Sequence, residues 1–148
     1  MPEKERLRAY IAVYLVLIKD GQILLSKRCN TGYQDGNYSL VAGHLDGGET
    51  AKQGMIREAK EEAGIILNPD DLEIVHIMHR LQPTREYFDI YLKATKYSGE
   101  IINMEPNKCD EIRWCDLNEL PTNMIPEVKF ALEKIKSGAH YSEFGWEE

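Results

Sequence analysis

Apolar and polar residues recur with two different periods along this chain, and the changes of period divide it into elements. Residues 7–18 (LRAYIAVYLVLI) are β-branched and aromatic almost without interruption, which predicts a long buried strand. Lys19-Asp20-Gly21-Gln22 is a hairpin turn built on Asp-Gly, and residues 23–28 return as a second strand ending in two cations. The chain is then polar to Asn37, with Gly32, Asp35 and Gly36 as breakers. A short strand is expected over 38–42, and two longer ones over 72–81 and 87–96, joined around Pro83. In the last of these Phe88, Ile90 and Leu92 alternate with Tyr87, Asp89 and Tyr91, the period of a strand with two different faces. A final short strand is predicted over 111–115, followed by a helical turn over 116–121.

The period changes to helical in two places. From Glu49 to Ala63 the positions Ala51, Met55, Ala59 and Ala63 recur every four residues, a stripe of mostly small side chains that lets a helix lie close to a sheet. Residues 124–135 predict a closing helix, with Asn123 as its cap and Val128, Ala131, Leu132 and Ile135 facing inward. Gly138 ends it, and the aromatic-rich tail after it carries no assigned element. Strands in the middle and a helix on either side predict an α/β/α sandwich around a mixed sheet.

Composition narrows the classes of function. With 148 residues the chain is expected to be one domain over 1–148. No stretch reaches 18 apolar residues, and MPEKERLR has no signal core, so a cytoplasmic protein without membrane contact is expected. Three cysteines without a CxxC pair suggest neither a disulfide framework nor a zinc site. A formal charge of −7 argues against a nucleic-acid polymer as partner. A small anionic substrate remains compatible if cations neutralise it locally.

The chemistry concentrates between Gly43 and Ile65. Glu58, Glu61 and Glu62 fall within one arc of the helix, at the edge of its small-residue stripe. Like charges three and four residues apart repel, and uncompensated charge beside a buried face is costly. Arg57 offsets part of this by reaching Glu61 one turn on. A hard cation held by oxygen ligands would resolve the rest. His76 and His79, three apart in a strand, lie on opposite faces and make no ligand pair.

The segment also fits a longer pattern, G-x5-E-x7-R-E-U-x-E-E-x-G-U with U apolar. Gly43, Glu49, Arg57, Glu58, Ala59, Glu61, Glu62, Gly64 and Ile65 fill every fixed place. It resembles the Nudix box of the Nudix hydrolase superfamily. Glu111 to Trp114 with the Leu-Pro turn and closing helix behind it resembles the usual end of such domains. The resemblance implies the same sandwich fold and hydrolysis of a nucleoside diphosphate linked to another group X. It implies Mg²⁺, or Mn²⁺ in its place, with Glu61 and Glu62 as principal ligands and Glu58 as a further ligand or general base. Arg57 would orient these carboxylates and Glu49 would hold Arg57. Ala42 stands where relatives commonly carry a glycine, and its carbonyl would join the metal ligands. A carboxylate outside the box is expected to complete the site: Glu105 first, with Asp110 and Glu111 behind it. His44 is expected at solvent or substrate rather than at the metal.

Substrate choice lies outside the box. Lys27, Arg28, Arg80 and Arg85 are the cations available for phosphates, and Phe88, Tyr87, Tyr91 and Asn123 the residues available for a base. A short chain without an appended domain favours nucleoside triphosphates, oxidised purine nucleotides included, cleaved to the monophosphate and pyrophosphate. ADP-ribose-like nucleotide sugars are the alternative, and a non-catalytic binding module is the rival from another class. Either a monomer or a homodimer fits.

Overall fold

Strand β1 (Tyr10–Lys19) is the spine of the fold. The structure, a computed structural model, describes residues 5–147. β1 runs parallel to β6 (Glu86–Ala94) from Tyr10↔Tyr87 to Leu17↔Ala94, and from residue 12 to 17 it is buried on both faces and built of apolar and aromatic residues. Val13, Leu15 and Leu17 point to one side, against Met55, Ala59 and Ala63 of α1 (Ala51–Ala63). Tyr14 and Val16 point to the other, against Val128, Ala131 and Leu132 of α2 (Pro126–Lys136). Each fully buried aliphatic side chain of this kind contributes about 1.5–3 kcal/mol relative to exposure. The result is the expected α/β/α sandwich with a mixed sheet.

The turn after β1 has positive φ at both Asp20 (52°) and Gly21 (75°), the geometry of the favoured two-residue hairpin. β2 (Gln22–Arg28) pairs with β1 only at Ile18↔Ile23 and Lys19↔Gln22, and then the two strands fork. The segment from β3 (Tyr38–Ser39) to β4 (Ala42–His44) fills the fork. β3 pairs with β2, while β4 lies on β1 with Tyr14↔Ala42 and Val13↔Gly43. The far edge of β2 carries β7 (Cys109–Asp116), with a bulge at Lys27/Arg28. β5 (Glu73–Leu81) lies antiparallel to β6.

Several boundaries differ from those read in the sequence. β1 starts at Tyr10, three residues late. Helix α1 starts at Ala51, not Glu49, because Thr50 caps it: its side chain accepts from Gln53 N–H while the Gln53 side chain accepts from Thr50 N–H. Helix α2 begins at Pro126, and its N-cap Ile125 makes no side-chain capping bond. Asn123 is therefore not the cap; its Nδ2 donates to the Gly36 carbonyl at 2.9 Å. The unassigned tail supplies an edge strand, β8 (Tyr141–Phe144), parallel to β5. The three cysteines are free thiols, and among the described residues no helix is long and apolar enough to cross a membrane.

Candidate active site

Where the fork in the sheet meets the start of α1, backbone and carboxylates come within touching distance. A Cβ on Gly43 would fall on the Glu58 carboxyl group, so only glycine lets that side chain lie across β4. Arg57 is the hub beside it. Its guanidinium grips Glu49 through Nη2 (2.7 Å) and Nε (3.1 Å), and its Nη1 donates to Glu58 at 2.7 Å and to Glu61 at 3.3 Å. Nη2 also donates to the His44 carbonyl at 3.1 Å, tying loop to helix. Arg57, helped by the Asp46 N–H, pulls the Glu49 carboxyl down to about 2. Arg57 thus lies between Glu49 on one side and Glu58 and Glu61 on the other.

One cavity, of about 330 Å³, opens at this point and is lined by Glu62, Glu105, Ala42, Arg28 and Lys108 among others. Burial pushes the Glu62 carboxyl up to about 9, reinforced by its hydrogen bond with Glu58 and by the charges of Glu58 and Glu105; the Ala42 N–H works the other way. Two carboxyls sharing a hydrogen bond need a proton between them, and a divalent cation can replace that proton. Glu58, Glu62, Glu105 and the Ala42 carbonyl are the oxygen donors near this point that could hold a hard cation, although among the described residues no three His, Cys, Asp or Glu side chains are gathered into a ready cage. Glu61 lies at the edge, 56% exposed and held by Arg57. Asp110 and Glu111 line neither this cavity nor the next; Glu111 accepts from the Tyr38 hydroxyl.

A second cavity, about 400 Å³, shares Arg28, Thr31 and Ala42 with the first and runs between the sheet and the start of α2. One wall is aromatic: Tyr87 and His44 stack at 5.6 Å, with Tyr10 tilted against both. Arg85 lies over Tyr10 at 5.0 Å and donates to the Tyr87 hydroxyl at 3.4 Å. Among the described residues neither Arg28 nor Arg85 has a carboxylate partner within 4.0 Å. Arg80 does. It forks onto Asp89 (2.6 and 3.0 Å), reaches Glu127 at 3.4 Å, and supports the Tyr87 ring from 4.0 Å. Arg80 is therefore a paired, buried cation at the cavity floor, not a free phosphate ligand.

The remaining predicted residues lie elsewhere. Phe88 faces the α1 side of the sheet, stacked on His79 at 4.1 Å, and lines neither cavity; nor does Asn123. Tyr91 is buried beneath the second cavity, stacked on Tyr14 at 4.6 Å. Lys27 lies over Tyr38. His76 bonds to Ser142 and the Ala139 carbonyl, and His79 to Glu86, so the two do not meet. Sequence reasoning missed Tyr14, Tyr33, Ser39 and Glu127, all in the second cavity. The alternation of β6 carried the one usable signal, since it sets Tyr87 and Asp89 on the face opposite Phe88.

Comparison with known proteins agrees with this geometry. A family model described as a NUDIX domain matches residues 7–135. An ADP-ribose pyrophosphatase of Methanocaldococcus jannaschii is 32% identical over 125 residues, 84% of this chain and 69% of the relative. The NAD-capped RNA hydrolase NudC of Stutzerimonas stutzeri is 29% identical over 107 residues, 72% of this chain; the chain spans only 37% of that relative. A crystal structure of a MutT NUDIX hydrolase from Burkholderia pseudomallei superposes with a TM-score of 0.79 at 25% identity, covering 86% of this chain and 98% of that one.

Proposed function

We propose a reaction from the premise that this chain belongs to the Nudix hydrolase superfamily and is a hydrolase acting on a diphosphate-containing substrate. The substrate class is a nucleoside diphosphate bearing a further group, and within it the reading we favour is a nucleoside triphosphate cleaved to the monophosphate and pyrophosphate. The observation that carries it is the meeting of two unlike cavities at Ala42 and Arg28. The charged one, lined by Glu62 and Glu105 together with Arg28 and Lys108, suits phosphates neutralised by a cation better than a second sugar. The aromatic one suits a base and its ribose.

Glu58, Glu62, Glu105 and the Ala42 backbone, with Glu61 beside them, would hold Mg²⁺ or Mn²⁺, which supplies phosphate neutralisation and activation of the attacking water. The chain's own groups do the rest. Arg57 fixes the direction of Glu58, which can accept the proton that the attacking water gives up. Arg28, at the junction, donates from Nε to the Tyr33 carbonyl at 2.8 Å and among the described residues has no carboxylate partner, so its terminal nitrogens can balance the charge that develops on the departing phosphate as the bridging P–O bond breaks. His44, exposed at the cavity wall and backed by Tyr87 and Arg80, offers the base a stacking face worth about 1–3 kcal/mol.

Hydrolysis of ADP-ribose is the second reading, supported by the 32% identity to an enzyme of that name. A panel of nucleoside triphosphates, ADP-ribose and dinucleoside polyphosphates, assayed with Mg²⁺ and product identification by mass, separates the two. Monophosphate and pyrophosphate from a triphosphate at the highest kcat/KM is the expected result. A higher kcat/KM for ADP-ribose moves the assignment to the second reading, and no turnover of any of them removes both.

A further inference from the structure

Resting on the reading that the aromatic cavity holds the base, we propose that Glu127 determines which base enters, and that it selects one presenting adjacent N–H donors, as guanine does. Glu127 lines the cavity from the first turn of α2 and is 5% exposed. Its two oxygens are used unequally. Oε2 takes the Tyr33 hydroxyl and Arg80 Nη1, while among the described residues no donor reaches Oε1. Among the described residues Tyr91 Oη is the one fully enclosed side-chain polar atom without a partner, so Glu127 Oε1 is not fully enclosed, and the cavity that the residue lines is the space beside it.

The floor also carries an imbalance of formal charge. One guanidinium, Arg80, serves two carboxylates, Asp89 and Glu127. A ligand entering the cavity displaces water from Oε1, and it is favoured only if it brings donors in exchange. The Tyr33 contact has a fixed sense, because Gln82 Nε2 donates to the Tyr33 oxygen and leaves its O–H to point at Glu127. Guanine presents N1–H and the exocyclic N2 amine side by side. Hypoxanthine keeps N1–H and lacks the amine. Adenine offers a bare N1 acceptor at the same ring position, which a carboxylate oxygen repels.

The same geometry fixes what Glu127→Gln would do. Both groups at Oε2 are donors, so the amide must turn its carbonyl to them and its NH₂ to the cavity. A donor then replaces an acceptor, and the base preference should invert.

The test is direct binding of GMP, IMP and AMP to the whole chain with Mg²⁺ present, for the wild type and Glu127→Gln. In the wild type GMP should bind at least about tenfold tighter than AMP, with IMP between them. In Glu127→Gln, AMP should bind tighter than GMP. Equal affinities for the three in the wild type, or an unchanged order in a folded Glu127→Gln, overturn the role of Glu127 while the cavity remains a base site. If none of the three binds, the assignment of the cavity falls and this inference with it. The GMP–IMP–AMP order needs no variant, so it decides the matter even if Glu127→Gln does not fold. Binding in this order without turnover of any nucleotide would leave Glu127 as the selector and remove the proposed reaction instead.

Discussion

A methyl group at Gly43 and the carboxyl group of Glu58 compete for one place. Gly43→Ala is therefore expected to push Glu58 away from Glu62 and to lower kcat/KM by roughly 10² or more, with a stability loss of about 1–3 kcal/mol from the overpacking. Kinetics and thermal melting of the variant check this, and wild-type kinetics would mean Glu58 need not sit across β4. Glu62→Gln should keep the bond to Glu58 without needing a proton, leave the melting temperature of the metal-free protein the same or higher, and cut kcat by roughly 10² or more. Ala42→Gly, which removes no ligand atom, should be nearly neutral for turnover; equal losses from both would point to loop shape rather than carboxylate chemistry. Glu49 provides the pH dependence. Its carboxyl is held near 2, below its ordinary 4.5, so the stability it lends is fully present above about pH 4.5 and is lost as pH falls towards 2. The acid limb of a melting-temperature profile should be shallower in Glu49→Gln, and identical limbs would show that Arg57 does not need this partner.

Single elements explain why some of the site was readable before the fold and some was not. The box glutamates and the small-residue stripe share one helix, and helical geometry alone sets them on adjacent arcs. The floor of the aromatic cavity has no such local rule. Arg80 meets Asp89 only because the β5–β6 register puts Arg80 opposite Tyr87, with a bulge between Ile74 and His76 upstream. Glu127 joins them from α2, across the sheet. Arg80 thus read as a free cation although it is a paired one. Phe88 reads as a base platform in the sequence because β6 alternation gives two faces without saying which one meets the cavity; α1 covers the Phe88 side. The β8 strand is not legible in the sequence because four residues with one buried position carry almost no periodic signal. Asn123 marks the same limit, since capping and loop-tying use the same amide. Its bond to Gly36 predicts that Asn123→Ala costs about 1 kcal/mol of stability and leaves the ratio of kcat/KM between purine and pyrimidine triphosphates unchanged. A selective loss for purines would return Asn123 to the base site.

On the scale of the molecule, the proposed cation site gathers segments far apart in the chain: the start of β4 at Ala42, the α1 carboxylates, and the Glu105 loop before β7. The Glu105 loop is itself tied down, with its carbonyl accepting from Lys108 N–H and Cys109 N–H at 2.9 Å, so a cation there would bridge parts of the fold that unfolding must separate. Ligand binding to the native state stabilises by mass action, about 2.7 kcal/mol at a concentration one hundred times the Kd. For a chain of this length that corresponds to a rise in melting temperature of about 5–10 °C. Millimolar Mg²⁺ should therefore shift thermal unfolding of the wild type upward without any substrate present, and Glu62→Gln should lose most of the shift while retaining its fold. Because the readout is unfolding rather than turnover, it separates failure to hold the cation from failure of the chemistry. A melting curve indifferent to Mg²⁺ and Mn²⁺ would mean that Glu58, Glu62 and Glu105 do not act together as a cation site.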